Sequence, residues 1–119
     1  LKEKLKANYE NFEFYKLAVT LSAGIYTFTK ALPKHEQYGI SSQIQRASVS
    51  VASNIAEGSS RTVKDFSRFL DISLGSIYEV ITQLRIISLV YPELKDNCSN
   101  LKKDYDKISR MIRAYKSKI

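Results

Sequence analysis

From Ser42 to Gly58 the chain gathers small residues in helical register: Ala47, Ser48, Ser50, Ala52, Ser53 and Ala56. At about 100° per residue, Ile40, Ile44, Ala47, Val51 and Ile55 fall on one apolar stripe. Arg46, Ser50, Ser53 and Glu57 run down a second side, at spacings of four, three and four. A helix with serines between two charges lets another helix approach closely, so this stretch requires helical neighbours. Gly58 is expected to stop the helix, because positive φ is cheap there.

The rest of the chain supplies those neighbours. Phe14, Ala18, Leu21, Ile25, Phe28 and Leu32 recur at four and three, with Asn11 as the expected cap and Pro33 as the expected end. Gly58 is followed by a turn, and Thr62 with Asp65 three residues on is a capping pair for a third helix that Pro92 stops. On that helix, apolar and serine positions cover roughly 240° of the wheel, where a surface helix needs about 100°. It is therefore either central or shared with another subunit. Leu94, Cys98, Leu101, Tyr105, Ile108, Ile112 and Tyr115 define a fourth helix. No stretch alternates with period two between turn signals, so no sheet is expected. The chain of 119 residues, 44% hydrophobic, fits one domain spanning 1–119. The expected fold is all-α, an antiparallel up-and-down four-helix bundle with helices at about 12–32, 40–57, 63–91 and 94–117.

Gln43, Ile44, Gln45, Arg46, Ala47 and Ser48, then Asn54, Ile55, Ala56, Glu57 and Gly58, then Phe66, Phe69, Leu70, Gly75, Ser76 and Glu79 also carry a likeness. The chain resembles the four-helix-bundle proteins of intervening sequences in bacterial 23S ribosomal RNA genes, and is similar to the accessory proteins of diversity-generating retroelements. The likeness runs from the Phe12 region to the last helix. It implies a homo-oligomer, a ring of five, with RNA or a reverse-transcriptase-like protein as partner and no enzymatic activity. Ala52 departs from the proline that many relatives carry, which puts any kink in this helix in question.

The candidate chemistry is sparse. His35 is the one histidine, and Cys98 lies on an apolar stripe, where a thiol acts as a small hydrophobe. One His and one Cys cannot complete a tetrahedral metal set, and the Glu-x-x-His of di-iron bundles is missing. None of the four glycines falls in a phosphate-binding or dinucleotide fingerprint. No catalytic residue, cofactor, metal or small-molecule substrate is expected, and the chain reads as not an enzyme. The charged start at Lys2, Glu3 and Lys4 is unlike a signal peptide, and Leu17 to Thr29 is too short to span a membrane. A single cysteine makes a reducing cytoplasm the expected compartment.

The net charge of +7 invites an acidic partner, although charge also serves solubility. Three basic groups stand out: Arg61, Lys64 and Arg68; Lys103, Lys107 and Arg110, flanked by Lys102, Arg113 and Lys118; and Lys2, Lys4 and Lys6. They are the candidate nucleic-acid contacts, set against the alternative of a solvated face. Tyr9, Tyr15, Tyr26 and Tyr38 could stack on bases or fill bundle edges. Arg46 and Glu57 lie about 16 Å apart along one helix, too far to pair with each other. Their expected partners are Glu79 and Arg61, in ion pairs that fix register; direct ligand contact is the alternative. Asn54 is expected to bond across to a neighbouring helix. Gly75, and with it Gly24, is expected to mark close approach of another backbone, with a hinge or ligand contact as the alternative.

Overall fold

The helical periodicities become four helices in the computed structural model, which describes residues 9–119. The Lys2, Lys4 and Lys6 group lies outside the described residues. After a 3₁₀ turn at Tyr9–Asn11 come α1 (Glu13–Thr29), a 3₁₀ turn at Lys34–Glu36, α2 (Ile40–Ser59) and α3 (Val63–Val90). A 3₁₀ turn at Pro92–Leu94 leads into α4 (Lys95–Lys116). The fold is an all-α four-helix bundle, with no strand among the described residues. In the circuit, α1 packs on α2, α2 on α3, α3 on α4, and α4 back on α1.

Local chemistry explains most of the ends. Asp65 N–H donates to Thr62 Oγ1 at 3.3 Å, which caps α3 as its sequence implies. The first helix begins at Phe12 rather than on an asparagine cap: Asn11 belongs to the preceding 3₁₀ turn, and Phe12 occupies the N-cap. That helix also stops short of Pro33. Tighter bonds from Ala31 N–H to Phe28 O (3.0 Å) and Leu32 N–H to Thr29 O (3.1 Å) wind its end into a turn. Leu32 still reaches the core, and Pro33 instead precedes the next 3₁₀ turn. The second helix runs unbroken through Ala52.

Serines seam the bundle where the sequence placed them. Ser73 Oγ donates to Val51 O at 2.9 Å, and the hydroxyls of Ser50 and Ser76 meet at 2.9 Å, tying α2 to α3. Ser22 and Ser48 meet at 2.9 Å, and Gln45 Nε2 donates to Thr29 Oγ1 at 3.0 Å, tying α1 to α2. Each such bond contributes about 0.5–1.5 kcal/mol net. The larger share comes from fully buried Ile25, Ile44, Ile55, Phe66, Leu70, Ile77 and Ile108, each worth about 1.5–3 kcal/mol on burial. Tyr105 is completely buried among them, and its hydroxyl lies by Ser48 without a well-formed hydrogen bond.

Three glycines correct the sequence expectations. No glycine among the described residues has positive φ, and Gly58 is inside α2. A Cβ there would stand 2.4 Å from Phe69 Cβ and 3.0 Å from Phe66 Cδ1, so Gly58 is the close-approach glycine between α2 and α3. Gly75 and Gly24 would carry a Cβ into open space, with nothing within 4 Å. No other backbone among the described residues approaches either within 4 Å: Gly75 lies exposed on the outer face of α3, and Gly24 borders an open pocket between α1 and α4.

The wide apolar arc of α3 is central in part. By length and composition α3 could cross a membrane. However, Phe66, Leu70, Leu74, Ile77, Val80, Leu84 and Ile87 are buried in the bundle core, so much of its apolar surface is used internally. The arc is not fully consumed: Ile72, Ile86, Leu89 and Val90 remain exposed, Leu89 to 82%.

Candidate nucleic-acid interface

The first basic group gathers at the corner where α2 hands over to α3. Phe69, held against Gly58, lies beneath two guanidiniums: Arg61 at 5.1 Å and Arg68 at 5.4 Å from the ring centroid. Such stacking contributes roughly 0.5–1 kcal/mol at an exposed site and fixes where the cations stand. Carboxylates engage both, Glu57 at 3.3 Å from Arg61 and Asp65 at 3.9 Å from Arg68. Lys64 is exposed, with no ion pair within 4 Å among the described residues. Sequence reasoning missed Phe69 as the platform, although an aromatic beside Arg68 is the signal that could have found it.

The second group divides. Lys103, Lys107 and Arg110 are exposed on α4, and none has an ion pair within 4 Å among the described residues. Their neighbours are committed elsewhere. Lys102 pairs with Asp106 at 2.8 Å, and Lys116 reaches Asp71 on α3. Arg113 turns toward α3, 5.6 Å above the Tyr78 ring. Asp71 lies one turn beyond Arg68, so the Lys116 contact brings the end of α4 beside the start of α3. The structure thus places Arg68, Arg113 and Lys116 toward one end of the bundle, with Arg113 one turn beyond Arg110.

The polar motif residues resolve unevenly. Glu57 pairs with Arg61 as expected, through an i,i+4 contact. Arg46 and Glu79 do not pair: both are exposed, and among the described residues neither has an ion pair within 4 Å. Asn54 bonds within its own helix rather than across, donating to Ser50 O at 2.9 Å and Ser50 Oγ at 3.0 Å. That contact positions the Ser50 hydroxyl that meets Ser76 on α3. Among the tyrosines, Tyr26 and Tyr38 are exposed, whereas Tyr9 and Tyr15 contact each other edge to face at 5.0 Å.

Nucleophilic chemistry gains no support from the geometry. Burial pushes the Cys98 thiol up from its ordinary value, which favours its protonated form. His35 is exposed, 4.0 Å from Glu36. Glu36 in turn accepts a 2.6 Å bond from Tyr91, which ties the α1–α2 turn to the end of α3. That bond, aided by burial, raises the phenol of Tyr91. Among the described residues no three His, Cys, Asp or Glu side chains gather as a metal site.

These features define a basic four-helix bundle, seamed by serines, with its cations on outer helix faces. The chain belongs to the family of 23S rRNA-intervening sequence proteins, whose family model matches residues 10–114. Its fold is similar to the crystal structure of a protein of unknown function, from the S23 ribosomal protein family of Bacteroides thetaiotaomicron. That likeness has a TM-score of 0.79 at 19% identity, and it covers 87% of this chain and 95% of the other. None of the curated proteins matches the sequence.

Proposed function

We propose that this protein is a non-catalytic, self-associating binding module that contacts RNA through basic helix faces. The observation that carries the reading is the stripe of Lys103, Lys107 and Arg110: exposed and without an ion pair among the described residues, although Asp104 lies beside Lys107. Core packing does not account for it, and neighbouring cations that serve the fold are paired. The family's description, which refers to 23S rRNA intervening sequences, is in keeping with an RNA partner. Phosphate contacts of this kind position a strand without reading its bases. Self-association draws on the exposed apolar residues of α3 around Gly75, flanked by unpaired Glu79 and, on α2, unpaired Arg46. Those opposite charges give a second copy something complementary to meet. A symmetric assembly would repeat the basic stripe on each subunit, so weak contacts would add through effective concentration.

A protein-only scaffold is the second reading, favoured by the same apolar face of α3. Fluorescence anisotropy with unstructured RNA at several salt concentrations separates the two. Changing Lys103, Lys107 and Arg110 together to Gln should weaken binding on every RNA sequence. It should also flatten the salt dependence, by about 0.7 in log–log slope for each single-strand phosphate that the variant no longer neutralises. Equal affinities and equal slopes for variant and wild type would leave the scaffold reading in possession.

A further inference from the structure

Where α3 ends and α4 begins, the two helices leave a groove of about 180 Å³. Leu84 and Cys98, both nearly fully buried, form its floor. Arg85 and Ser88 border it from α3, while Lys95, Ser99 and Lys102 border it from α4. Lys95 and Lys102 are seven residues apart, hence on one flank of α4 and about 10 Å apart along its axis. Lys102 is held by Asp106 at 2.8 Å, but among the described residues Arg85 and Lys95 have no ion pair within 4 Å. Glu93 and Asp96 lie nearby in sequence yet do not line the groove. The lining cations therefore exceed the carboxylate that engages them by two charges.

We propose that this groove is a binding site for a phosphate monoester. A monoester carries about −1.5 to −2 near pH 7, which matches the local excess. The volume is below the ~300 Å³ at which small-molecule pockets begin, so the groove suits a single group and not a whole folded ligand. The three cationic heads hold the phosphate oxygens, and the Ser99 hydroxyl supplies a neutral donor, that of Ser88 being given to Arg85 O at 2.8 Å. The site is independent of the free stripe on α4, and its phosphate comes either from the end of a nucleic-acid strand or from a small free phosphate.

The test is a titration of the full chain with inorganic phosphate at constant ionic strength, followed by amide shifts in two-dimensional NMR. Saturable shifts centred on Ser88, Lys95 and Ser99 are expected, strengthening as pH rises and inorganic phosphate loses its second proton, about one unit above the pKa near 6 of a monoester. Arg85→Gln and Lys95→Gln should each weaken binding about tenfold, the worth of one charge-assisted hydrogen bond. Arg85→Lys should keep most of it. The Gln triple at Lys103, Lys107 and Arg110 should leave it unchanged, so failure of the RNA reading and failure of this one are separable. Non-saturating shifts spread over every basic face, or undiminished binding in Arg85→Gln and Lys95→Gln, would overturn the proposal. With binding in hand, short RNA bearing a 5′-phosphate or a 5′-hydroxyl identifies the source. Competition by the phosphorylated strand alone assigns a strand end, and no competition by either assigns a free phosphate.

Discussion

Gly58→Ala isolates the tightest point between α2 and α3. A methyl there would stand 2.4 Å from Phe69 Cβ and 3.0 Å from Phe69 Cγ. Carbon pairs rest at about 3.5–4.0 Å, so the helices must part locally by about 1 Å. A gap of that size forfeits a quarter to a half of the dispersion energy of each contact it opens. Phe69 Cβ is fixed to the α3 backbone, so no rotamer change relieves the clash. Overpacking of this kind costs about 1–3 kcal/mol, against a helix-propensity gain of up to about 1 kcal/mol. The net expectation is a loss of up to about 2 kcal/mol, or a fall in Tm of roughly 4–8 °C per kcal/mol for a domain near this size. Gly24→Ala, on α1 and away from the proposed self-association face, is the internal control: its methyl meets nothing within 4 Å among the described residues, so only the propensity gain of about 0.5–1 kcal/mol remains. Urea unfolding followed by far-UV circular dichroism measures both. If Gly58→Ala unfolds at or above the wild-type midpoint, the close-approach argument is wrong.

Two further outcomes follow from the buried phenol and the outer face of α3. Tyr105→Phe should be neutral or stabilising by up to about 1 kcal/mol, because it removes a buried hydroxyl that lacks a good partner. Burial raises the Tyr105 pKa above its ordinary 10.0, so above about pH 10 the unfolded chain releases a proton that the folded one keeps. Stability should then fall with rising pH by up to about 1.4 kcal/mol per unit from this group, and Tyr105→Phe should flatten the alkaline limb of a pH–stability curve. A slope unaltered by the substitution would show that Tyr105 is not the group responsible. Light scattering at micromolar concentration should report a homo-oligomer, and Leu89→Gln with Ile86→Lys should lower its mass while helical content is retained. A wild-type monomer would end the self-association reading.

What was legible in the sequence is what periodicity and local chemistry control. The stripes of α1 to α4, the Thr62 cap and the Glu57–Arg61 pair all involve residues within a turn or two of each other. Gly58 was misread for an instructive reason. A glycine near a helix end usually signals a cap, and only the crossing of α3 at Phe69 shows that this one is removing a clash. Gly75 failed the opposite way, since nothing in the sequence tells which side of a broad apolar helix stays open. Arg46 and Glu79 were matched by charge alone, and the helix faces they occupy leave them unpaired. The phosphate groove could not be read at all, because Arg85 and Lys95 become neighbours only when α3 folds back on α4.

The distribution of cations follows from how the helices are held together. Hydroxyls at Ser22, Ser48, Ser50, Ser73 and Ser76 satisfy one another or a carbonyl across the α1–α2 and α2–α3 seams, so neither seam needs an ion pair. An ion pair is recruited where α3 meets α4, in the Lys116–Asp71 contact. Exposed pairs of that kind contribute at most about 1 kcal/mol, so it orients the helix ends more than it stabilises them. Most of the remaining charge is then free of structural duty. Removing Lys103, Lys107 and Arg110 should cost the fold little, whereas removing the Ser73 hydroxyl would strand a buried bond to Val51. Stability and surface charge are therefore carried by different residues in this bundle, and the outer face of α4 is open to be set by a partner.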